Sequence, residues 1–356
     1  MNKLTKYGCS ALCGSLAAIS AANAGELTVT GGADMTWVSK GGDVNGGPLG
    51  IGSNYSLLGS GELDNGWTYN LTIANANLNA FSAAIINIGM GGLGSMTFNQ
   101  GNSGTGIKAI DDKMPTAWEE TWGAGATTGV RLATGSGTSQ SIMYSTPTLF
   151  GTSMTFTIAP DYGTTDTSDK ATGNTADENE ASYDATININ PSLGTEILSG
   201  LNIFAGASTI ERSDSGATLN DKYEGVGGIL YDIGPLSLGA QWSGEYTGAN
   251  TINQTSGQVA SEDYNFYKNF AYGIAFNIND DLSMSYGEWR ARKAGITSSD
   301  AVQGGENERT LTVSSFQIAY TMGGASIRIA DTEVDNQEWT ADQNRNVTTV
   351  SMGLAF

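Results

Sequence analysis

The chain contains no histidine. That absence removes Ser-His-Asp and Cys-His nucleophile arrangements, and with them His-ligated zinc and haem. Carboxylate-only catalysis survives, but no grouping of residues favours it, so a non-enzymatic protein is expected. Cysteine is nearly absent too: the two are Cys9 and Cys13, both close to the N-terminus. Basic residues are scarce, 16 Lys and Arg against 36 Asp and Glu, for a formal net charge of −20. Nucleic-acid binding depends on Lys and Arg replacing phosphate counterions, so no nucleic-acid partner is expected. Long apolar runs are missing as well, and no stretch approaches the ~20 residues a membrane-spanning helix needs. Proline occurs 6 times, against 49 glycines.

Residues 1–24 read as a cleaved signal peptide. Lys3 and Lys6 make a basic start, Gly8–Ile19 is small and largely apolar, and Ala22, Asn23 and Ala24 offer the small-x-small site for signal peptidase. The mature chain then begins at Gly25 and has no thiol, although it passes through an oxidising compartment. The competing reading is a lipid anchor on Cys13. Against it, Leu12 stands directly before the cysteine, and the apolar run ahead of it is short.

What is present, throughout 25–356, is alternation with period two. Leu27, Val29, Met35 and Trp37 alternate with Thr28, Thr30, Asp34 and Thr36. Leu236, Leu238, Ala240 and Trp242, or Val350, Met352, Leu354 and Phe356, repeat the pattern later. Successive side chains of a strand point to opposite faces, so each run has one apolar and one polar face. Sixteen such runs fall at 27–39, 51–62, 66–76, 80–89, 93–99, 139–147, 150–160, 181–190, 200–211, 222–233, 236–247, 264–278, 282–292, 309–322, 325–332 and 346–356. Most reach the ~9–11 residues that carry a tilted strand across a bilayer.

The connections alternate in kind. Leu63-Asp64-Asn65, Met90-Gly91-Gly92, Gly234-Pro235, Asn279-Asp280-Asp281 and Gly323-Gly324 are tight hairpin turns. Between them lie long stretches at 40–50, 100–138, 161–180, 212–221, 248–263, 293–308 and 333–345, which hold most of the clustered acids. The expected fold is therefore all-β: a 16-stranded antiparallel transmembrane β-barrel with short periplasmic turns, long extracellular loops and both termini periplasmic. A soluble β-sandwich or β-helix is the rival. Trp37, Trp67, Trp242, Tyr246, Tyr264, Phe266 and Trp289 sit near strand ends, where a barrel carries its interfacial girdles. Gly89–Gly94 matches the GxGxxG dinucleotide fingerprint, but it joins two strands and reads as a turn.

The longest connection, 100–138, follows the fifth strand. Its middle suggests a short helix capped by Asp111 or Asp112, with Pro115 in the first turn and Trp118 and Trp122 on one face. At this point the chain resembles the trimeric Gram-negative general-diffusion porins, in particular the acidic alphaproteobacterial type. The resemblance is architectural and rests on the signal peptide, the sixteen strands, the acidic third loop and the terminal Phe356. It implies a third loop folded into the lumen, with Asp111, Asp112, Glu119 and Glu120 at a constriction. Phe356 would be part of the C-terminal signal read by the barrel-assembly machinery. Pore-lining charge would come from Asp34, Glu62 and Arg328, and from Arg290 and Arg292 if Trp289 faces lipid, which requires a shift of face near Gly287. It further implies a homotrimer in contact with outer-membrane lipid and lipopolysaccharide, passing small hydrophilic solutes with a mild preference for cations. No cofactor is expected, although the acidic outer loops have the oxygen chemistry that Ca²⁺ or Mg²⁺ takes. The alternatives are a plugged surface barrel acting as an adhesin or structural protein, and a substrate-selective porin.

Overall fold

The computed structural model describes residues 24–41, 49–76, 83–100, 104–163, 179–191, 196–212, 220–248, 266–294 and 308–355. Sixteen strands run in chain order as β1 (Ala24–Gly41), β2 (Leu49–Glu62), β3 (Thr68–Ala76), β4 (Ala83–Gly89), β5 (Ser95–Gln100), β6 (Gln140–Ser145), β7 (Thr152–Ala159) and β8 (Asn179–Ile189). They continue as β9 (Leu201–Arg212), β10 (Lys222–Ile233), β11 (Leu236–Tyr246), β12 (Phe266–Asn277), β13 (Leu282–Ala294), β14 (Glu308–Met322), β15 (Ala325–Asp335) and β16 (Arg345–Ala355). Each pairs antiparallel with its sequence neighbours, and β1 pairs with β16, so the sheet closes. Closure leaves no open edge, and every strand finds hydrogen-bond partners on both sides, as a non-aqueous surrounding demands. No helix among the described residues is long and apolar enough to cross a membrane, which says nothing of crossing by strands.

The two faces of the wall are the reverse of a soluble core. Leu27, Ile51 and Leu354 stand 70%, 76% and 67% exposed on the outside. Gln241, Gln317 and Ser351, on the inward parity, are nearly or wholly buried. Side-chain alternation sends one set to each face, and the turns keep the register: Leu63 N–H donates to Trp67 O at 2.7 Å, and Met90 N–H to Gly94 O at 2.8 Å. The connection from β8 to β9 is longer than a tight turn and contains a single helical turn, α1 (Glu196–Ser199). The 1–23 segment and Phe356 lie outside the described residues, as do the loop acids Asp166, Asp169, Asp177 and Glu178 and the girdle residue Tyr264.

Three expectations need correction. Arg290 and Arg292 do not line the lumen. The pairing of β13 with β12 and β14 runs from end to end without a register shift, so Tyr286, Arg290 and Arg292 share the outward parity. Trp289, expected in a lipid-facing girdle, is instead fully buried inside the barrel. It packs there with Met114, Ala291, Leu311, Val313 and Val334, because the third loop lays apolar side chains on that stretch of wall. Finally, β15 runs on to Asp335, so Glu333 and Asp335 belong to the strand rather than to the loop expected from 333, and with Asp331 they are exposed on its outer face.

Candidate functional site

Residues 104–139 leave β5 and lie against the inner wall. A five-residue 3-10 turn, Gly106–Ile110, opens the loop. Its neck is held by Asp184 of β8, whose carboxylate accepts from Ile107 N–H at 3.2 Å and from Ser136 N–H at 3.0 and 3.1 Å. Gly106 and Gly135 both have positive φ, and a Cβ on either would run into the Asp184 carboxylate. Glycine is thus required where the two limbs of the loop close on one buried acid.

From the neck the loop crosses successive strands, and a polar inward side chain from each takes its backbone. Gln241 of β11 accepts from Lys113 N–H at 3.1 Å and donates to Asp111 O. Ser285 of β13 accepts from Ala117 N–H at 2.8 Å. Gln317 of β14 accepts from Trp118 and Glu119 N–H at 3.2 and 3.0 Å, and donates to Glu119 O at 2.8 Å. Thr332 of β15 donates to Ala124 O at 3.0 Å. On the return limb Glu224 of β10 accepts from Gly135 N–H at 2.6 Å and is paired with Lys222 at 2.9 Å. Lys222 also reaches Glu245 at 3.2 Å, and Glu245 takes Arg131 through two hydrogen bonds of 2.6 and 2.7 Å.

This tethering explains why the expected helix at 111–122 does not form. Wall side chains take the amide hydrogens that an i→i−4 ladder would use. Asp112 contributes to the same outcome, accepting from Met114 N–H at 3.0 Å and from the Trp122 indole at 2.6 Å. The two tryptophans therefore do not share a helical face.

The four acids lie at the turns of this suspended segment. Burial pushes Asp111 and Asp112 up to about 6, against the opposing pull of backbone N–H groups and of Lys108 and Lys113 respectively. Glu119 is pushed up to about 8, first by burial and then by the hydrogen bond and charge of Glu120. Glu120 is held down, chiefly by accepting the hydrogen bond from Glu119. The adjacent carboxyls share one proton at neutral pH.

Of the wall charges, Arg328 and Asp34 come together at 3.3 Å, and the guanidinium also stands 5.9 Å from the centre of the Trp118 ring. Arg328 is thus beside the acidic segment, where its charge lowers Glu119. Glu62 is exposed at the end of β2, next to the tight turn, away from the loop. The loop's anchors, Asp184, Glu224, Glu245, Gln241 and Gln317, escaped the sequence reading. Their signal was present: each is a charged or amide side chain at polar parity inside a run long enough to span.

No family model matches this chain, and no curated protein matches it. Its backbone is similar to solved porin structures. It aligns with a porin refined at 1.8 Å at TM-score 0.64 and 12% identity, over 93% of this chain and 100% of that one. It aligns with Salmonella typhi OmpF, solved in complex with daunomycin, at TM-score 0.63 and 12% identity, over 93% and 97%. The anion-selective porin of Comamonas acidovorans aligns at TM-score 0.59 and 14% identity, over 93% and 99%. The chain has the porin fold.

Proposed function

We propose that this protein is a passive outer-membrane channel for small hydrophilic solutes and ions, mildly selective for cations. The observation that carries the reading is a closed wall of sixteen strands, apolar outside and polar inside, with a loop tethered across its lumen. Eight strands are packed shut by their own side chains, whereas ~16–18 leave an aqueous passage. At neutral pH Asp111, Asp112, the Glu119–Glu120 pair with its one shared proton and Asp34 carry four negative charges against the three positive charges of Arg328, Lys108 and Lys113, an excess that favours cations.

The test is reconstitution of the purified chain into a planar bilayer under a salt gradient. Stepwise openings in groups of three, with a reversal potential of cationic sign, are expected. A silent bilayer from folded protein would turn the reading to a plugged surface barrel.

A further inference from the structure

The connection from β15 to β16 is braced on itself. Asn336 N–H donates to Asn344 Oδ1 at 3.1 Å, Asp342 N–H to Asn336 Oδ1 at 3.2 Å, and Gln337 N–H to Gln343 O at 2.8 Å. Asn336 Nδ2 also donates to Thr310 O of β14 at 3.0 Å. The result is a short strap with a fixed shape. Four of its non-glycine residues, Asn336, Glu338, Trp339 and Asp342, hold φ at 54°, 52°, 57° and 58°. Asn and Asp visit this left-handed region, but Glu and Trp seldom do, and such strain persists only where surrounding contacts impose it.

Those contacts are with the third loop and the inner wall. Glu338 N–H donates to Thr128 O at 3.0 Å, and Gln337 Nε2 to Thr127 O at 2.5 Å. Gly129 lets the two backbones touch, since a Cβ there would stand 3.1 Å from Glu338 Cα. Trp339 is the wedge. Its indole N–H donates to Ala291 O of β13 at 2.9 Å, and its ring meets Tyr267 of β12 edge-on with centres 5.4 Å apart. It packs against the cluster that holds Trp289, Leu311 and Val334, as do Ala126 and Val130 of the third loop. A side chain that follows β15 thus reaches β12, which lies beyond β14 and β13 in the wall. At ~4.8 Å between strands that is ~14 Å of wall, so the strap lies across one side of the outer mouth.

We infer, on the channel reading above, that this strap is a second size filter with Trp339 as the residue that sets it. The wedge fixes the strap across the mouth and pins the distal limb of the third loop, so the largest solute admitted is limited there as well as at the acidic segment. One position separates the backbone of the strap from its side chains. Glu338→Pro cannot hold a positive φ and has no N–H for Thr128 O, so it should release the strap. Glu338→Gly removes the same charge, takes that φ freely and keeps the N–H, so it should leave the strap closed.

The test is swelling of liposomes carrying the full chain, with the rate for raffinose read relative to that for arabinose. Trp339→Ala and Glu338→Pro should each raise this ratio severalfold over the parent, and Glu338→Gly should match the parent. An unchanged ratio in W339A or in E338P, or an equal rise in E338P and E338G, would overturn the filter. If W339A does not fold, the contrast between E338P and E338G decides; if E338P does not, W339A decides. A parent that conducts ions and passes arabinose, with variants that leave its size limit unmoved, defeats this inference alone. A folded parent that passes neither ions nor arabinose defeats the channel.

Discussion

Arg328 on β15 and Asp34 on β1 are bonded at 3.3 Å across an intervening strand, over the backbone of Gly353 on β16. A Cβ at Gly353 would lie 2.7 Å from Asp34 Oδ1, 2.9 Å from Ser326 Oγ and 3.2 Å from Arg328 Nη2. The absence of a side chain there lets two charges meet at the seam where the barrel closes, with Arg328 also turned toward Trp118 of the loop. Both partners are partly exposed, so the pair stabilises the fold by no more than ~1 kcal/mol. Its consequence is for the pore.

Neutralising the two partners should therefore move selectivity in opposite directions with little change in stability. Arg328→Gln removes a fixed positive charge beside Glu119 and should strengthen cation preference, while Asp34→Asn should weaken it. Gly353→Ala should separate the pair and leave a channel between those extremes. Reversal potentials in a salt gradient measure all three, and identical values for R328Q and D34N would show that the pair does not border the ion path.

Cation preference should also rise with pH. Asp111 and Asp112, pushed up to about 6, and Glu119, pushed up to about 8, are neutral below those values and negative above them. Raising pH from 5 to 9 therefore adds negative charge in two stages. Glu119→Gln should abolish the upper stage and leave the lower one. Because the Arg328 charge lowers Glu119, R328Q should shift the upper stage to higher pH. Selectivity that is flat across this range would place these carboxyls off the permeation path.

The strands were legible in the sequence because lipid and lumen make opposite demands on alternate residues. Runs such as Leu236–Trp242 and Val350–Leu354 announce their faces one residue at a time. The inner wall was less legible where the loop covers it. Trp289, Leu311, Val313 and Val334 all point inward, so a rule that sends large apolar side chains outward reads that patch backwards. The same rule misplaced Arg290 and Arg292, since their face was inferred from that of Trp289. The loop's conformation was hidden for a related reason. Which amide Gln241, Ser285 or Gln317 takes depends on partners more than a hundred residues away, not on the local spacing of Asp112, Pro115 and Trp118.

Asp184 should be the most sensitive tether. Asp184→Ala deprives Ile107 N–H and Ser136 N–H of their buried acceptor, each loss costing ~1–3 kcal/mol. The neck of the loop should loosen before the barrel does. Limited trypsin digestion should then cleave after Lys108, Lys113 or Arg131 in the variant, in a barrel that retains its β-sheet circular dichroism. Equal resistance in the variant and the parent would mean that the strand anchors beyond the neck suffice to hold the loop.

The two cations that meet Glu245 should differ sharply in what their removal costs. The Lys222 side chain is 6% exposed, and it lies between Glu224 at 2.9 Å and Glu245 at 3.2 Å. Lys222→Met would leave two carboxylates under the loop without that charge, and breaking a buried pair in this way costs ~3–5 kcal/mol. The Arg131 side chain is 46% exposed, so water screens what its guanidinium contributes to Glu245. Arg131→Met should cost only ~1 kcal/mol or less once that screening is allowed for. Urea unfolding of the refolded variants ranks them. The expected order is a large drop in midpoint for K222M and a small one for R131M. The reverse order would mean that the return limb of the loop is held by its half-exposed arginine rather than by the buried lysine beneath it.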